Sequence, residues 1–152
     1  MTIAVDFDGT IVENRYPAIG RELPFATETL RMLAQEGHRL VLWTCREGQL
    51  LDEAVAWCRE RGVEFWAVNR DYPEETQQTN PHWTRKLKAD LFIDDRQVGG
   101  LPDWGVIYEM VTQKSQNQRP TAEGKVKSQK GHAGEVGKSK KEENIFKRLL
   151  KL

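Results

Sequence analysis

The stretch that most constrains the fold of this chain is Thr2–Val12, which has the sequence TIAVDFDGTIV. Its short apolar run, Ile3–Val5, is typical of a buried strand. Two carboxylates, Asp6 and Asp8, follow directly, and Gly9 then marks a turn. An apolar strand that ends in acids and a turn indicates a site at the carboxyl end of that strand, which is where open α/β sheets bind ligands.

Patterns of strand and helix alternate along the next hundred residues. The predicted strands are short apolar runs, at Thr2–Asp6, His38–Thr44, Val63–Val68 and Asp90–Asp94. The predicted helices begin at Pro24, with a stop at Gly37, and at Glu47–Arg61, where apolar residues recur at helical spacing. Asp103–Thr112 fits a helix, and its β-branched and aromatic content leaves a fifth strand as the alternative. The alternation predicts a three-layer, Rossmann-like α/β domain with a mostly parallel sheet.

Charge divides the chain into two parts. Residues 1–112 carry 12 Lys and Arg against 19 Asp and Glu, whereas residues 113–152 carry 11 against 4. We therefore expect the α/β domain to span 1–112 and a basic linker, too poor in apolar residues to fold, to span 113–141. Residues 142–152 fit a short amphipathic helix. The tail is either a solvated linker or a contact for a polyanion, and the terminal helix fits a protein partner or an acidic membrane surface.

Several classes of protein are excluded on the residues. The N-terminal apolar run is too short for a signal peptide, and no apolar run approaches the roughly 20 residues that span a bilayer. Cys45 and Cys58 are the two cysteines of the chain, which is not the pattern of a disulfide framework. We expect a soluble, cytoplasmic protein with no transmembrane segment.

Polar side chains follow three of the predicted strands, so they should meet at one edge of the sheet. They are Asp6 and Asp8, then Thr44, then Asp94 and Asp95, with a lysine at 86 or 88 just before the last strand. Carboxylates gathered this closely repel one another unless a cation lies among them, and hard oxygen ligands suit Mg²⁺. A bound cation would attract a phosphate, which a threonine and a lysine could hold. One aspartate could then act as a nucleophile and a second as a general acid and base.

These residues resemble the four motifs of the haloacid dehalogenase superfamily of phosphohydrolases. Asp6-Phe7-Asp8-Gly9-Thr10 is similar to the first motif, and Thr44 at the end of LVLWT to the second. Lys86 corresponds to the third motif, and Asp94-Asp95 to the fourth. The match covers roughly residues 1–112, in the family's order. Ile11–Leu23 and Asn69–Arg85 are too short for the family's cap domain, so the resemblance is to a minimal, capless member.

The resemblance implies a Mg²⁺-dependent phosphatase that works through an aspartyl-phosphate. Asp6 would be the nucleophile and a metal ligand. Asp8 would be the general acid and base, with its backbone carbonyl also at the metal. Thr44 and Lys86 would bind the phosphoryl group, and Asp94 and Asp95 would complete the metal site. The expected substrate is a small phosphomonoester or a phosphorylated end of a macromolecule.

Alternatives stay open at several positions. Asp6 and Asp8 could lie in a solvated turn, or the acids could belong to a phospho-accepting receiver domain, although such a domain lacks the DGT turn after its first strand. Lys88 competes with Lys86 for the third motif. Arg46 fits either a phosphate ligand or a surface salt bridge. The competing function is a catalytically weak phosphate- or metal-binding module, tethered to a partner through the basic tail.

Overall fold

The computed structural model of the protein describes residues 1–80 and 86–118. Strands and helices alternate within these ranges. In chain order they are β1 (Thr2–Val5), α1 (Ala26–Gln35), β2 (Arg39–Leu42), α2 (Gly48–Glu60), β3 (Ala67–Val68), β4 (Leu91–Ile93) and α3 (Trp104–Asn117). Among these described helices, none is both long and apolar enough to cross a membrane.

The four strands form one parallel sheet in the order β3-β2-β1-β4. β1 lies inside the sheet, where Val5 is in register with Leu42 of β2 and with Ile93 of β4. The predicted α/β fold with a parallel sheet is therefore confirmed. Because the strands are parallel, all their carboxyl ends lie at one edge, and the residues that follow β1 and β4 are neighbours.

Alternate residues of the central strands enter two separate apolar clusters, as expected for strands buried on both faces. Ile3 and Val5 of β1 point into the larger cluster, which includes residues from all three helices: Ala26, Leu30, Leu33, Ala54, Cys58, Trp104, Ile107 and Val111. Ala4 points to the opposite face. There it joins Val41, Ala67 and Leu87, which precedes β4, in the smaller cluster. The described layers are thus the helices, the sheet and the segment before β4.

The third predicted strand is shorter than expected. The apolar run predicts a strand over Val63–Val68, but β3 consists only of Ala67–Val68. The amide of Val63 donates to the carbonyl of Cys58 at 3.0 Å, and Val63 is buried, so this residue packs under the end of α2. The apolar run reflects helix-end packing in its first half and strand pairing only in its second half.

Helix ends differ from the predictions by a few residues. α1 begins two residues after Pro24, and its first turn is held by Glu22, whose Oε1 accepts from the Thr27 amide at 3.0 Å. Asp103–Thr112 is a helix and not a fifth strand; Asp103 caps it by accepting from the Val106 amide at 3.0 Å. α3 continues to Asn117, so the first residues of the predicted linker 113–141 are helical. The rest of that linker and the predicted helix 142–152 lie outside the described residues.

Two connecting segments lie near the carboxyl edge of the sheet. The segment 11–23 folds back on itself through a bridge between Val12 and Glu22, and its base is tied by an Arg21–Glu13 ion pair of 2.6 Å. Residues 69–80 contain turns around the buried carboxylate of Glu75, which accepts from the Asn80 amide group at 2.6 Å. Neither described segment amounts to a cap domain.

Candidate functional site

Asp6, Asp94 and Asp95 come together at the carboxyl edge of the sheet. Asp6 directly follows β1, and its amide donates to the Ile93 carbonyl at 3.0 Å, which extends the pairing of β1 with β4 by one residue. Asp94 and Asp95 directly follow β4. One oxygen from each of the three carboxylates lies within 4.8 Å of the others. Sequence reasoning placed these three acids together, and the pairing of β1 with β4 is the reason.

The three carboxylates form an electrostatically strained cluster. Burial, together with the charges of Asp94 and Asp95, raises the pKa of Asp6 to about 6, although hydrogen bonds from Phe7 and Thr10 act in the opposite direction. Oδ1 of Asp95 is buried and has no hydrogen-bond partner among the described residues. A buried, unpaired carboxylate oxygen beside two other carboxylates fits the ligand set of a hard divalent cation such as Mg²⁺.

The turn after β1 packs directly against this cluster. Gly9 has φ +84°, and a Cβ there would lie 2.3 Å from Oδ2 of Asp95, so only glycine lets the turn approach the acid. The buried hydroxyl of Thr10 accepts from the Asp95 amide at 3.0 Å and donates to Oδ2 of Asp6 at 3.3 Å. Trp104 of α3 donates its indole N–H to the Thr10 carbonyl at 3.0 Å. Sequence reasoning did not assign these roles to Thr10 and Trp104.

Asp8 lies apart from the acid cluster and pairs with Arg46. Nε of Arg46 donates to Oδ2 of Asp8, and Nη2 donates to Oδ1, both at 2.7 Å. The Arg46 side chain is fully buried and that of Asp8 is 15% exposed, so this pair is not the surface salt bridge considered above. The hydrogen bond with Asp8 raises the pKa of Arg46 further above its ordinary value.

Thr44 lies beyond the end of β2, beside the same edge. Its amide donates to Oδ1 of Asn69 at 2.9 Å, and its hydroxyl oxygen accepts from the Arg46 amide at 3.3 Å. Because the Thr44 hydroxyl is the acceptor in the contact with Arg46, its own proton remains available to an acceptor in the cavity. Asn69 itself adopts φ 52°, a left-handed conformation that asparagine tolerates better than most residues.

A cavity of about 500 Å³ opens beside these groups. Its lining residues are Asp6, Asp8, Asn14, Tyr16, Trp43, Thr44, Cys45, Arg46, Asp94 and Arg96. The sequence motifs do not predict a site role for four of these lining residues: Asn14, Tyr16, Trp43 and Arg96. Arg96 and Trp43 are adjacent in sequence to predicted site residues, and that adjacency was the available signal. Asn14 and Tyr16 reach the cavity only because the segment 11–23 folds back.

The two candidate lysines lie elsewhere among the described residues. Nζ of Lys86 is 4.8 Å from the centroid of the Phe92 ring, and the side chain is exposed. Lys88 is also exposed, and its amide donates to Oδ1 of Asp71 at 2.7 Å. Neither lysine is among the residues that line the cavity. Within the described part of the site, the positive side chains at the cavity are those of Arg46 and Arg96.

Comparison with known proteins finds a relative among solved structures. No family model matches the chain, and no curated protein matches it. A solved structure of a conserved protein from Bacteroides thetaiotaomicron matches with a TM-score of 0.70 and 68% sequence identity, over 75% of this chain and 91% of the other. At that identity and coverage, the chain belongs to the same family as this conserved Bacteroides thetaiotaomicron protein.

Proposed function

We propose that the protein is a Mg²⁺-dependent phosphatase that hydrolyses phosphomonoesters through an aspartyl-phosphate on Asp6. The observation that carries the proposal is the convergence of Asp6, Asp94 and Asp95 within 4.8 Å, two of which, Asp6 and Asp94, line a cavity together with Thr44. The resemblance of the same residues to the haloacid dehalogenase motifs supports it. That superfamily assignment is part of the proposal, because the matched relative carries no stated activity.

The first half of the reaction transfers the phosphoryl group to the protein. A carboxylate oxygen of Asp6 attacks phosphorus, the bond between phosphorus and the ester oxygen breaks, and an acyl phosphate forms on Asp6. The leaving oxygen takes its proton from Asp8. A divalent cation held by Asp6, Asp94 and Asp95 would neutralise negative charge on the phosphoryl oxygens.

The second half regenerates the free carboxylate. Asp8, ionised after the first half, takes a proton from water, and the resulting hydroxide attacks the phosphorus of the acyl phosphate. The bond between phosphorus and Asp6 breaks and inorganic phosphate leaves. Thr44 holds a phosphoryl oxygen through its free hydroxyl proton. Arg96, which also lines the cavity, would supply positive charge for the phosphoryl group, a role that the resemblance gives to Lys86.

The decisive experiment is an assay of 4-nitrophenyl phosphate hydrolysis with Mg²⁺ and with EDTA. We expect Mg²⁺-dependent turnover in the wild type and none above background in Asp6→Asn. Asp52→Asn, on the exposed side of α2, is the matched control and should hydrolyse the ester like the wild type. Absence of Mg²⁺-dependent turnover across a broad panel of phosphomonoesters would contradict the proposal.

One observation favours the alternative of a catalytically weak binding module. Both oxygens of Asp8 accept hydrogen bonds from Arg46, so a proton on either oxygen weakens a charge-assisted contact. A protein of this kind would bind Mg²⁺ and inorganic phosphate together without turnover. Calorimetric titration of the two ligands, alongside the hydrolysis assay, separates the candidates.

With either proposed function, phosphatase or binding module, the basic C-terminal part, 113–152, would add a contact for a polyanion or a protein partner. Its excess of Lys and Arg over Asp and Glu supports this interaction. Binding to heparin at low salt that weakens steeply as salt is raised would support a polyanion contact, and binding that salt does not change would refute it.

A further inference from the structure

Arg46 is the most completely enclosed charged side chain beside the cavity. It comes from the connection after β2, and its side chain is fully buried. Its paired contacts to Asp8, through Nε and Nη2, are both 2.7 Å long. A guanidinium that meets a carboxylate through two parallel hydrogen bonds fixes the plane of that carboxylate as well as its position.

The remaining contacts of Arg46 reach a different segment, the loop 14–18. Nη1 donates to the Pro17 carbonyl and Nη2 to the Ala18 carbonyl, each at 3.0 Å. The guanidinium carbon also lies 5.4 Å from the centroid of the Tyr16 ring. Arg46 therefore holds the loop with one side of its planar group and Asp8 with the other.

The loop 14–18 is also a wall of the cavity. Asn14 and Tyr16 line it, together with Asp8. Asp6 and Asp94, at the sheet edge, line the same cavity, so one bound molecule can contact both them and this wall. The carbonyls of Pro17 and Ala18 in this wall are thus linked to the Asp8 carboxylate through hydrogen bonds from Arg46.

We propose that Arg46 is a positioning residue that couples the cavity loop 14–18 to Asp8, so that the loop sets the orientation of the proton-handling carboxylate. The inference rests on the proposed function for its catalytic consequence. It replaces a direct contact between Arg46 and phosphate, since four of the five guanidinium N–H groups already donate to Asp8, Pro17 and Ala18.

A double-mutant cycle with Asp8→Asn, Arg46→Gln and the two together tests the proposal. The readout is the single-turnover rate of leaving-group release from 4-nitrophenyl phosphate and from an alkyl phosphate, which needs a proton on its leaving oxygen. We expect Arg46→Gln to slow the alkyl ester by about 100-fold and the aryl ester far less, which is the range of a lost general acid. In the Asp8→Asn background the same change should have no further effect.

Inhibition by inorganic phosphate separates positioning from direct binding. If Arg46 acts through Asp8, the inhibition constant of phosphate stays within about twofold in every variant, since a lost charged contact would change it by tenfold or more. An inhibition constant that rises in both backgrounds would show that Arg46 contacts phosphate and would overturn the proposal. Equal slowing of the two esters would overturn it too.

Two controls test whether the changes in rate come from loss of the contacts of Arg46. Arg31→Gln removes an exposed arginine from α1, outside the loop 14–18 and away from the residues that line the cavity, and should leave both rates unchanged. The double variant replaces both members of the buried pair, so it leaves no unpaired buried charge and keeps the cycle interpretable if Arg46→Gln alone folds poorly.

A second readout does not require turnover. Amide hydrogen exchange in residues 14–18 should accelerate in Asp8→Asn, because the neutral amide offers Arg46 one acceptor oxygen where the carboxylate offers two and a negative charge. If the wild type hydrolyses no phosphoester, the proposed function fails while this measurement still decides the coupling. Exchange in the loop that is unchanged in Asp8→Asn, at equal global stability, would refute the coupling itself.

Discussion

The stability of the metal-free protein should depend on pH through Asp6. Its pKa is raised from 3.8 to about 6 by burial and by the neighbouring charges of Asp94 and Asp95. A carboxyl whose pKa is higher in the folded state binds its proton more tightly there, so ionising it destabilises the fold. The penalty is absent below about pH 4, grows between pH 4 and 6, and is complete above pH 6.

The size of the effect follows from the shift. A shift of two pKa units corresponds to about 3 kcal/mol, and partial solvent access reduces this to the range of about 1 to 3 kcal/mol. Asp6→Asn replaces the carboxyl with a neutral group of the same shape that can still accept from Thr10. We therefore expect the variant to melt higher than the wild type at pH 8, by roughly 4 to 10 °C for a domain of this size.

The assay is thermal unfolding in EDTA at pH 4, 6 and 8, followed by circular dichroism. The difference between Asp6→Asn and the wild type should vanish at pH 4 and be largest at pH 8. Adding Mg²⁺ at pH 8 should stabilise the wild type and have little effect on the variant. A variant that melts lower than the wild type at pH 8, or a difference independent of pH, would refute the idea of a strained carboxylate cluster.

Three further predictions concern the surroundings of the cluster. Gly9→Ala should lower the melting temperature far more than Gly37→Ala. Both glycines have positive φ, but only at Gly9 would the new Cβ meet the Asp95 carboxylate, so equal losses of melting temperature would show that backbone strain alone matters. Trp104→Phe should cost about 1 to 3 kcal/mol in denaturant unfolding, since it leaves the Thr10 carbonyl without its donor, and a cost near zero would contradict this. Asp94→Asn should raise the Mg²⁺ concentration for half-maximal hydrolysis by about tenfold or more. Titration of Mg²⁺ in the 4-nitrophenyl phosphate assay measures this midpoint, and an unchanged midpoint would show that Asp94 is not a metal ligand.

The meeting of Asp6 with Asp94 and Asp95 was predictable because it depends on strand topology. Each acid directly follows an apolar run, and parallel pairing of those runs brings the following residues together. The pairing of Asp8 with Arg46 was not predictable in the same way. These two residues are 38 positions apart and follow the paired strands β1 and β2, but both lie several residues beyond the strand ends, where no periodic pattern fixes the direction of a side chain.

The other differences have similar local causes. Val63 is apolar because it packs under the end of α2, and an apolar run alone does not distinguish this from a strand. Lys86 precedes β4 as the motif requires, but its side chain lies over the Phe92 ring. A motif fixes the order of residues along the chain, whereas the direction of a long, exposed side chain depends on its surroundings.

The position of β1 between β2 and β4 has a consequence for how the site can diversify. The backbone that carries Asp6 is hydrogen-bonded on both sides, so the acid cluster belongs to the most constrained part of the sheet. The opposite wall, the loop 14–18, is joined to that framework through the side chain of Arg46. Under the proposed function, substitutions in this loop would reshape the pocket for different leaving groups while Asp6, Asp94 and Asp95 stay in place, which makes the loop the natural target for changing substrate preference.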